Sequence, residues 1–453
     1  MLTSLELLTI AILLVSYRFF TSQSAPISLA RFNVFTWIFG MDLVLMSAAS
    51  IFYLDGANIY QHWMFRIIPP GDESFFYAWV AICWALLAMP IGFWLSNRLF
   101  KIADPRHFFV GYLDKPFTAN WQPKQRIFFY LCCAFSLASA AYCIDVVGGV
   151  PLLEWFTGDA QSMAESRMRF IRDFNGNVFI KNILFLTLTP FLAYVAGSAW
   201  LQYPTKTNLV TFVGTFIVAL IAVTFGLSKY QLIIFLLGFA YLYVLIRGQI
   251  PIRLFASIGG TCFGLLLVTY YFVMEGDPSQ LERLWGTIVA RITQTQSAGI
   301  YLAFQYFPDH GDFTGVRSLS SLVKWIGLDQ VERPSRLLMA YIAPEEFAAG
   351  RAGYASSLFI SEAWGGFGWI GALLSPIYVG FFIKSIFNFF MKLGKSPFIV
   401  AYLAMVSLNL GVSVGFNQFL KPVLLGVVGA IVLINELIQS RLEAKISHNP
   451  GSN

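Results

Sequence analysis

SFFYAWVAICWALLAMPIGFWLSN, residues 74–97, contains no aspartate, glutamate, lysine or arginine, and it runs directly into RLFKIADPRHFFVGYLDKPFTANWQPKQR, residues 98–126. At 1.5 Å of rise per residue, a helix over 74–97 extends about 36 Å, enough to cross a hydrocarbon core of about 30 Å. Lipid offers no partner to backbone N–H and C=O groups, so such a run must satisfy them within itself, as a helix. The following segment sets Arg98, Lys101, Arg106, Lys115, Lys124 and Arg126 against Asp104 and Asp114, a net +4. Short basic loops stay on the cytoplasmic side of a membrane, which gives the first helix a direction.

The same pattern recurs along the chain. Apolar runs at 2–20, 33–54, 74–97, 127–147, 179–201, 208–226, 230–246, 254–274, 364–388, 397–414 and 419–438 each read as a membrane helix. Counting outward from the 98–126 loop, Arg18, Arg31, Lys206, Arg247, Arg253, Lys384, Lys392, Lys395, Arg441 and Lys445 all fall on the cytoplasmic side. That agreement supports the helix count. It places the N-terminus outside and the C-terminus inside. The expected fold is an all-α polytopic integral membrane protein of 11–12 transmembrane helices. Residues 1–445 form one membrane domain, and 446–453 form a disordered cytoplasmic tail.

Composition excludes the main alternatives. Of the 453 residues, 57% are hydrophobic and 12% charged, against about 25% charged in an ordinary soluble domain. The apolar runs lack the alternation a transmembrane barrel requires. The net charge of +6 resides in short loops and sets topology, so it is not read as a nucleic-acid surface. Cys83, Cys132, Cys133, Cys143 and Cys262 lie inside apolar segments with neither metal-ligand spacing nor a disulfide framework. No cofactor motif and no metal motif appears. The N-terminus lacks the basic start of a signal peptide and reads as the first membrane helix.

Two segments on the outer face are long, 148–178 and 275–363. Loops of that size are usually functional or disordered. Between Leu281 and Tyr306 the apolar residues fall on one helical face. Arg283, Thr287, Arg291, Gln294, Tyr301 and Gln305 fall on the other. This predicts an amphipathic helix on the outer interface.

The candidate chemistry is concentrated in these loops. Arg167, Arg169 and Arg172 lie within six residues, and guanidinium forks match phosphate oxygens. The bland reading is a solvated helix pairing with its own acids, Glu165 and Asp173. The second loop carries seven basic residues (Arg283, Arg291, Arg317, Lys324, Arg333, Arg336, Arg351) and nine acidic ones, among them Asp309, Glu345 and Glu346. Such a mixture suits a site that holds a phosphate and also accepts a proton. Ordinary loop ion pairs would use the same residues, and His310 is a further candidate base. Lys229, in the turn Phe225-Gly226-Leu227-Ser228-Lys229-Tyr230, either snorkels to headgroups or holds a lipid diphosphate. Lys421 occupies a comparable position with less weight. Asp42, in the middle of the second helix, is a default functional candidate. As a lone acid it is better read as a hydrogen-bond partner between helices.

The arrangement resembles the Wzy-type O-antigen polymerases, within a wider group that includes the O-antigen ligases. Four features carry the resemblance: Ser-Arg-Met-Arg-Phe-Ile-Arg at 166–172; Phe-Gly-x-x-Lys-Tyr at 225–230; Arg336 to Glu346 followed by Arg351; and Ser-Glu-Ala-Trp-Gly-Gly-Phe-Gly-Trp-Ile-Gly at 361–371. Ligases of the group carry a histidine shortly before the last of these, and 351–361 has none. The resemblance implies a fold like the C-type glycosyltransferases, two large periplasmic loops and the bacterial inner membrane as location. It implies transfer of a growing glycan from undecaprenyl diphosphate to the next lipid-linked oligosaccharide repeat unit, without metal or cofactor. Positive charge on the leaving diphosphate would come from Arg291, Arg167, Arg169, Arg172, Lys229, Arg336 and Arg351, and the base from Glu345 or Glu346. A Wzz-type chain-length regulator is the expected partner. A ligase, or a lipid-linked oligosaccharide flippase or transporter, are the competing expectations.

Overall fold

The structure is a computed structural model. It describes residues 4–453 apart from 54–62, 70, 118–122, 154–165, 168, 171–172, 255, 258, 262–263, 265–289, 320–322, 324–326, 356 and 448–453. Among the described residues there is no strand, and nine helices are long and apolar enough to cross a membrane. The chain is a polytopic helical membrane protein.

The principal elements are α1 (Ser4–Gln23), α2 (Val34–Phe52), α3 (Ser74–Leu99), α4 (Pro105–Asp114), α5 (Pro123–Val147), α6 (Ile180–Gln202), α7 (Lys206–Thr224), α8 (Lys229–Arg247), α9 (Gln296–Tyr306), α10 (Pro334–Ile342), α11 (Phe359–Leu393), α12 (Pro397–Asn409) and α13 (Val423–Ser447). Several begin on a side-chain cap where the chain leaves a basic connection. Asn33 accepts from the N–H groups of Phe35 and Thr36, Asp104 from His107, Thr205 from Asn208 and Ser396 from Ile399. Each cap satisfies donors that a helix start leaves without a partner.

The basic connections gather at one end of the bundle, as the charge count requires. The Asn97 amide donates to the Gln23 carbonyl at 2.8 Å, and Ile250 N–H to Ala30 at 2.8 Å. The Arg247 guanidinium donates to Leu201 at 2.7 Å, and Lys395 to Leu113 at 2.6 Å. Lys384, buried in α11, donates to Ser24 at 3.3 Å, with its amine 5.0 Å from the Phe35 ring. Lys395 lies in the connection after α11, where burial pushes its amine down to about 8. We call this the basic end and the opposite one the loop end.

Several polar side chains inside the spans pair across helices, since hydrocarbon offers no other partner. The Trp79 indole donates to Thr9 at 2.9 Å, and the Ser16 hydroxyl to the Leu86 carbonyl at 2.8 Å. The closest helix contact is between α3 and α11. A Cβ on Gly92 would stand 2.1 Å from the Ile377 carbonyl oxygen, and one on Gly380 would stand 2.3 Å from that of Met89. Small residues let two backbones meet in this way. Gly92→Ala is therefore expected to cost about 3 kcal/mol, read as a fall in the thermal midpoint of the detergent-solubilised protein. An unchanged midpoint would show that the contact is looser than drawn.

The structure departs from the sequence expectations in several places. The run 397–414 is helical only as α12, and its 13 residues rise about 20 Å, short of a full crossing. The run 254–274 lies mostly outside the described residues. α2 is irregular, with π-helical geometry over Ile38–Leu45 and 3-10 geometry over Ala48–Tyr53. α11 begins at Phe359, before the expected 364, and it bends at Gly368, whose φ of 58° and ψ of −143° only glycine adopts readily. The expected tail from 446 is helical through Ser447.

The amphipathic helix over 281–306 is also corrected. Residues 281–289 lie outside the described residues. Of the remainder, α9 and the π-helical turn Arg291–Thr295 before it, Thr293, Gln294 and residues 297–304 are buried rather than half wet. Tyr301, placed on the polar face by periodicity, is fully buried, with its hydroxyl 2.9 Å from Ser50 Oγ. α9 packs on α3, α10 and α11. Its Tyr301 meets another helix, a pairing that periodicity along one segment cannot distinguish from exposure to water.

Candidate functional site

The site forms where α12 stops short. The helix ends at Asn409, whose amide folds back to the Met405 carbonyl at 2.7 Å. Residues 410–416 are not helical, a short helix Asn417–Leu420 follows, and α13 starts at Val423. An unwound segment inside a bundle exposes N–H groups that must find acceptors.

Two buried carboxylates supply them. Asp42 of α2 accepts from the Val412 N–H at 2.7 Å through Oδ2 and from the Ser413 hydroxyl at 3.1 Å through Oδ1. Glu362 of α11 accepts from the Asn417 N–H at 3.0 Å through Oε2 and from the Ser335 hydroxyl at 3.1 Å through Oε1. The Asn417 amide donates to the Ser318 carbonyl at 3.1 Å, and the Phe359 N–H donates to Val412 at 3.0 Å. Three distant parts of the chain, α2, α11 and the region of Ser318, thus hold one irregular segment. The reading of Asp42 as a partner for another helix agrees with this geometry.

Beside that segment, at the loop end, is a cavity of about 580 Å³. It is bounded by α6, the turn between α7 and α8, the end of α12 and the start of α13. Leu186, Pro190, Ile234, Phe235, Leu424 and Leu425 make much of it apolar. Asn182, Gln231, Asn409 and Gln418 add amides, and Arg333 and Lys421 add positive charge. Among the described residues no aspartate or glutamate lines it. Apolar walls with a few converging polar groups are what a ligand site requires. This one suits a molecule with a hydrocarbon part and an anionic part.

Of the residues singled out from sequence, Lys421 lines this cavity, and the other described ones do not. Arg291 opens the π-helical turn leading into α9, and its side chain lies outside the described residues. Arg172 also lies outside them. Arg167 is exposed, as is Arg169, whose guanidinium sits 5.0 Å over the Phe170 ring. Lys229 is the first residue of α8, and its side chain is not described, but its neighbours Ser228 and Tyr230 line the cavity. Arg336 pairs with Glu332 at 3.3 Å and covers Phe347 at 4.8 Å. His310 stacks on Tyr341 with centroids 5.4 Å apart. Among the described residues no group of acids, histidines and cysteines could hold a metal ion.

Arg351 and Glu346, given separate roles from sequence, are joined to each other. Two guanidinium nitrogens of Arg351 donate to the Glu346 carboxylate at 2.8 and 2.9 Å, and both side chains are exposed. The hydrogen bond from Arg351 holds the Glu346 carboxyl below the usual range. A carboxylate so stabilised is a weak base, and an exposed pair contributes little to stability. Glu346→Gln is therefore expected to leave the thermal midpoint of the detergent-solubilised protein unchanged, and a fall of several degrees would show that the pair supports the fold. Glu345 is exposed and makes no side-chain hydrogen bond or ion pair among the described residues.

Sequence reasoning counted Arg333 among the loop charges without giving it a role, and it gave Lys421 little weight. Each had a local signal. Arg333 precedes Pro334, which takes the first position of α10, and Lys421 precedes Pro422 at the end of the broken segment. Proline fixes both positions at element boundaries.

Fold and site together define a polytopic helical membrane protein with an amphipathic cavity at one end of its bundle. No protein-family model, no curated protein and no solved structure matches the chain.

Proposed function

We propose that this protein polymerises undecaprenyl-diphosphate-linked oligosaccharide repeat units, as the resemblance to Wzy-type polymerases implies. The observation that carries the reading is the cavity, with apolar walls and with Arg333 and Lys421 as its positive groups. An isoprenoid chain fits such walls, and a diphosphate fits such cations. As the glycosidic bond breaks, negative charge grows on the diphosphate, and fixed positive groups stabilise it. Arg333 and Lys421 join Arg291, Lys229 and the 166–172 arginines as the groups that provide this. Glu345 is the proposed base for the acceptor hydroxyl, since its carboxylate is not committed to a guanidinium.

The loop end is then periplasmic and the basic end cytoplasmic, in the bacterial inner membrane, with a fold of the C-type glycosyltransferase kind. A Wzz-type regulator would meet the protein there. A transporter reading draws on the broken helix 410–416 and on buried Asp42, since transporters use such breaks to hold ions. Here both carboxylates at the break are occupied by backbone N–H and hydroxyl donors, which favours a structural role for them.

The test is a lipopolysaccharide gel from a deletion strain beside the same strain complemented with this chain. The expected result is single-repeat lipid A–core in the deletion and a restored ladder on complementation. Loss of all O-antigen from the core, with lipid-linked polymer accumulating, would mean a ligase. An unchanged ladder would overturn the assignment to O-antigen.

A further inference from the structure

A second cleft, of about 330 Å³, lies at the basic end, away from the cavity above. It sits where α5, α6 and α7 meet. Arg126 and Tyr130 reach it from α5, Tyr203 from the end of α6, and Thr207 and Thr211 from the first turns of α7. Ala196 and Ala199 of α6 also line it. Among the described residues no aspartate or glutamate lines it. Arg126 is exposed and makes no hydrogen bond or ion pair among the described residues.

The polar side chains of this cleft are one guanidinium, several hydroxyls and the Asn208 amide, which donates to the Tyr203 carbonyl at 2.7 Å; the guanidinium and the hydroxyls can donate to phosphate oxygens. Thr205 caps α7 by accepting from Asn208 N–H, while the N–H groups ahead of it in the first turn have no acceptor within the helix. The positive end of the helix dipole points the same way. Lys124 and Lys206 flank the cleft in sequence and are exposed. Leu131 and Phe135 of α5 and Val210 and Val213 of α7, on other faces of the two helices, are exposed and apolar. A polar, positive pocket at the end of helices whose outer faces are apolar suits the headgroup of a phospholipid.

We propose that this cleft binds the phosphate of an anionic phospholipid at the basic end of the bundle. The inference is independent of the polymerase reading. Anionic lipids attract basic groups at membrane surfaces generally. What distinguishes this site is a shaped pocket with an uncommitted arginine.

The experiment uses the full chain, purified in a neutral maltoside and unfolded by heat with tryptophan fluorescence as readout. Phosphatidylglycerol, phosphatidylcholine and inorganic phosphate are added separately. Phosphatidylglycerol is expected to raise the midpoint by roughly 4 °C more than phosphatidylcholine does. In Arg126→Gln that excess falls by at least half, and Thr207→Val lowers it in the same direction. Lys101→Gln, elsewhere at the basic end, keeps it. A full excess in Arg126→Gln, or an equal loss in Lys101→Gln, overturns the site in favour of general surface charge. An equal rise with inorganic phosphate alone overturns the lipid assignment.

Discussion

Replacing Arg333 and Lys421 together by alanine is expected to abolish the polymer ladder while leaving protein level and membrane insertion unchanged. Both side chains line the cavity, and among the described residues no carboxylate lines it with them. A hydrogen bond to a charged group contributes about 1.5–3 kcal/mol, and stabilisation of charge that develops during reaction is of similar size or larger. Each single change should then slow transfer about 10²-fold, and the double change should remove visible product. Arg333→Lys is expected to fall between, because an ammonium keeps the charge and loses the planar fork. Rates measured with a lipid-diphosphate donor would separate the roles. A group acting on the leaving diphosphate lowers kcat, whereas one that only anchors the lipid raises KM. A full ladder from the double variant would remove this cavity from the reaction.

Asp42→Ala is expected to destabilise the protein by about 4 kcal/mol. The change leaves the Val412 N–H and the Ser413 hydroxyl without acceptors in a dry interior, at about 1–3 kcal/mol each. It also opens space beside α2. Asp42→Asn keeps one acceptor oxygen and should cost about half as much. Glu362→Ala should behave similarly, because Asn417 N–H and Ser335 depend on it. Thermal unfolding in detergent reads the effect. A midpoint in Asp42→Ala within about 1 °C of the parent would show that the broken segment is held by something other than these carboxylates.

The two predictions are linked through one segment. Asn409, Leu410, Val414, Gln418 and Lys421 all line the cavity, and their path is set by Asp42 and Glu362. Losing either carboxylate is therefore expected to impair the site along with the fold. Lys421 by itself is expected to impair only the site.

Legibility differed between fold and site for a physical reason. The spans α1, α3, α5, α6, α7 and α8 were readable because crossing lipid is a local requirement. A run long and apolar enough must be helical whatever lies beside it. The grouping of Lys206, Arg247, Lys392 and Lys395 at one end followed from the same local count. The reading failed where a segment's state depends on its neighbours. α12 is apolar enough to continue past Asn409, but it stops because carboxylates from α2 and α11 accept its backbone donors. α9 has a polar stripe, but Ser50 and the faces of α3 and α11 occupy its surroundings. Arg351 and Glu346 were both plausible site residues by type, and their mutual pairing removes the ground for separate roles.

The sequence by itself therefore determined that this chain is a helical membrane protein with its basic connections on one side, because hydropathy and charge act over single segments. The tertiary structure alone decided which polar groups are spent on holding the fold and which surround a cavity. A buried carboxylate 370 residues away in sequence from the N–H it accepts leaves no trace in either segment. Whether Asp42, Arg333 or Lys421 supports the fold or faces a ligand depends on what the packed helices bring against it.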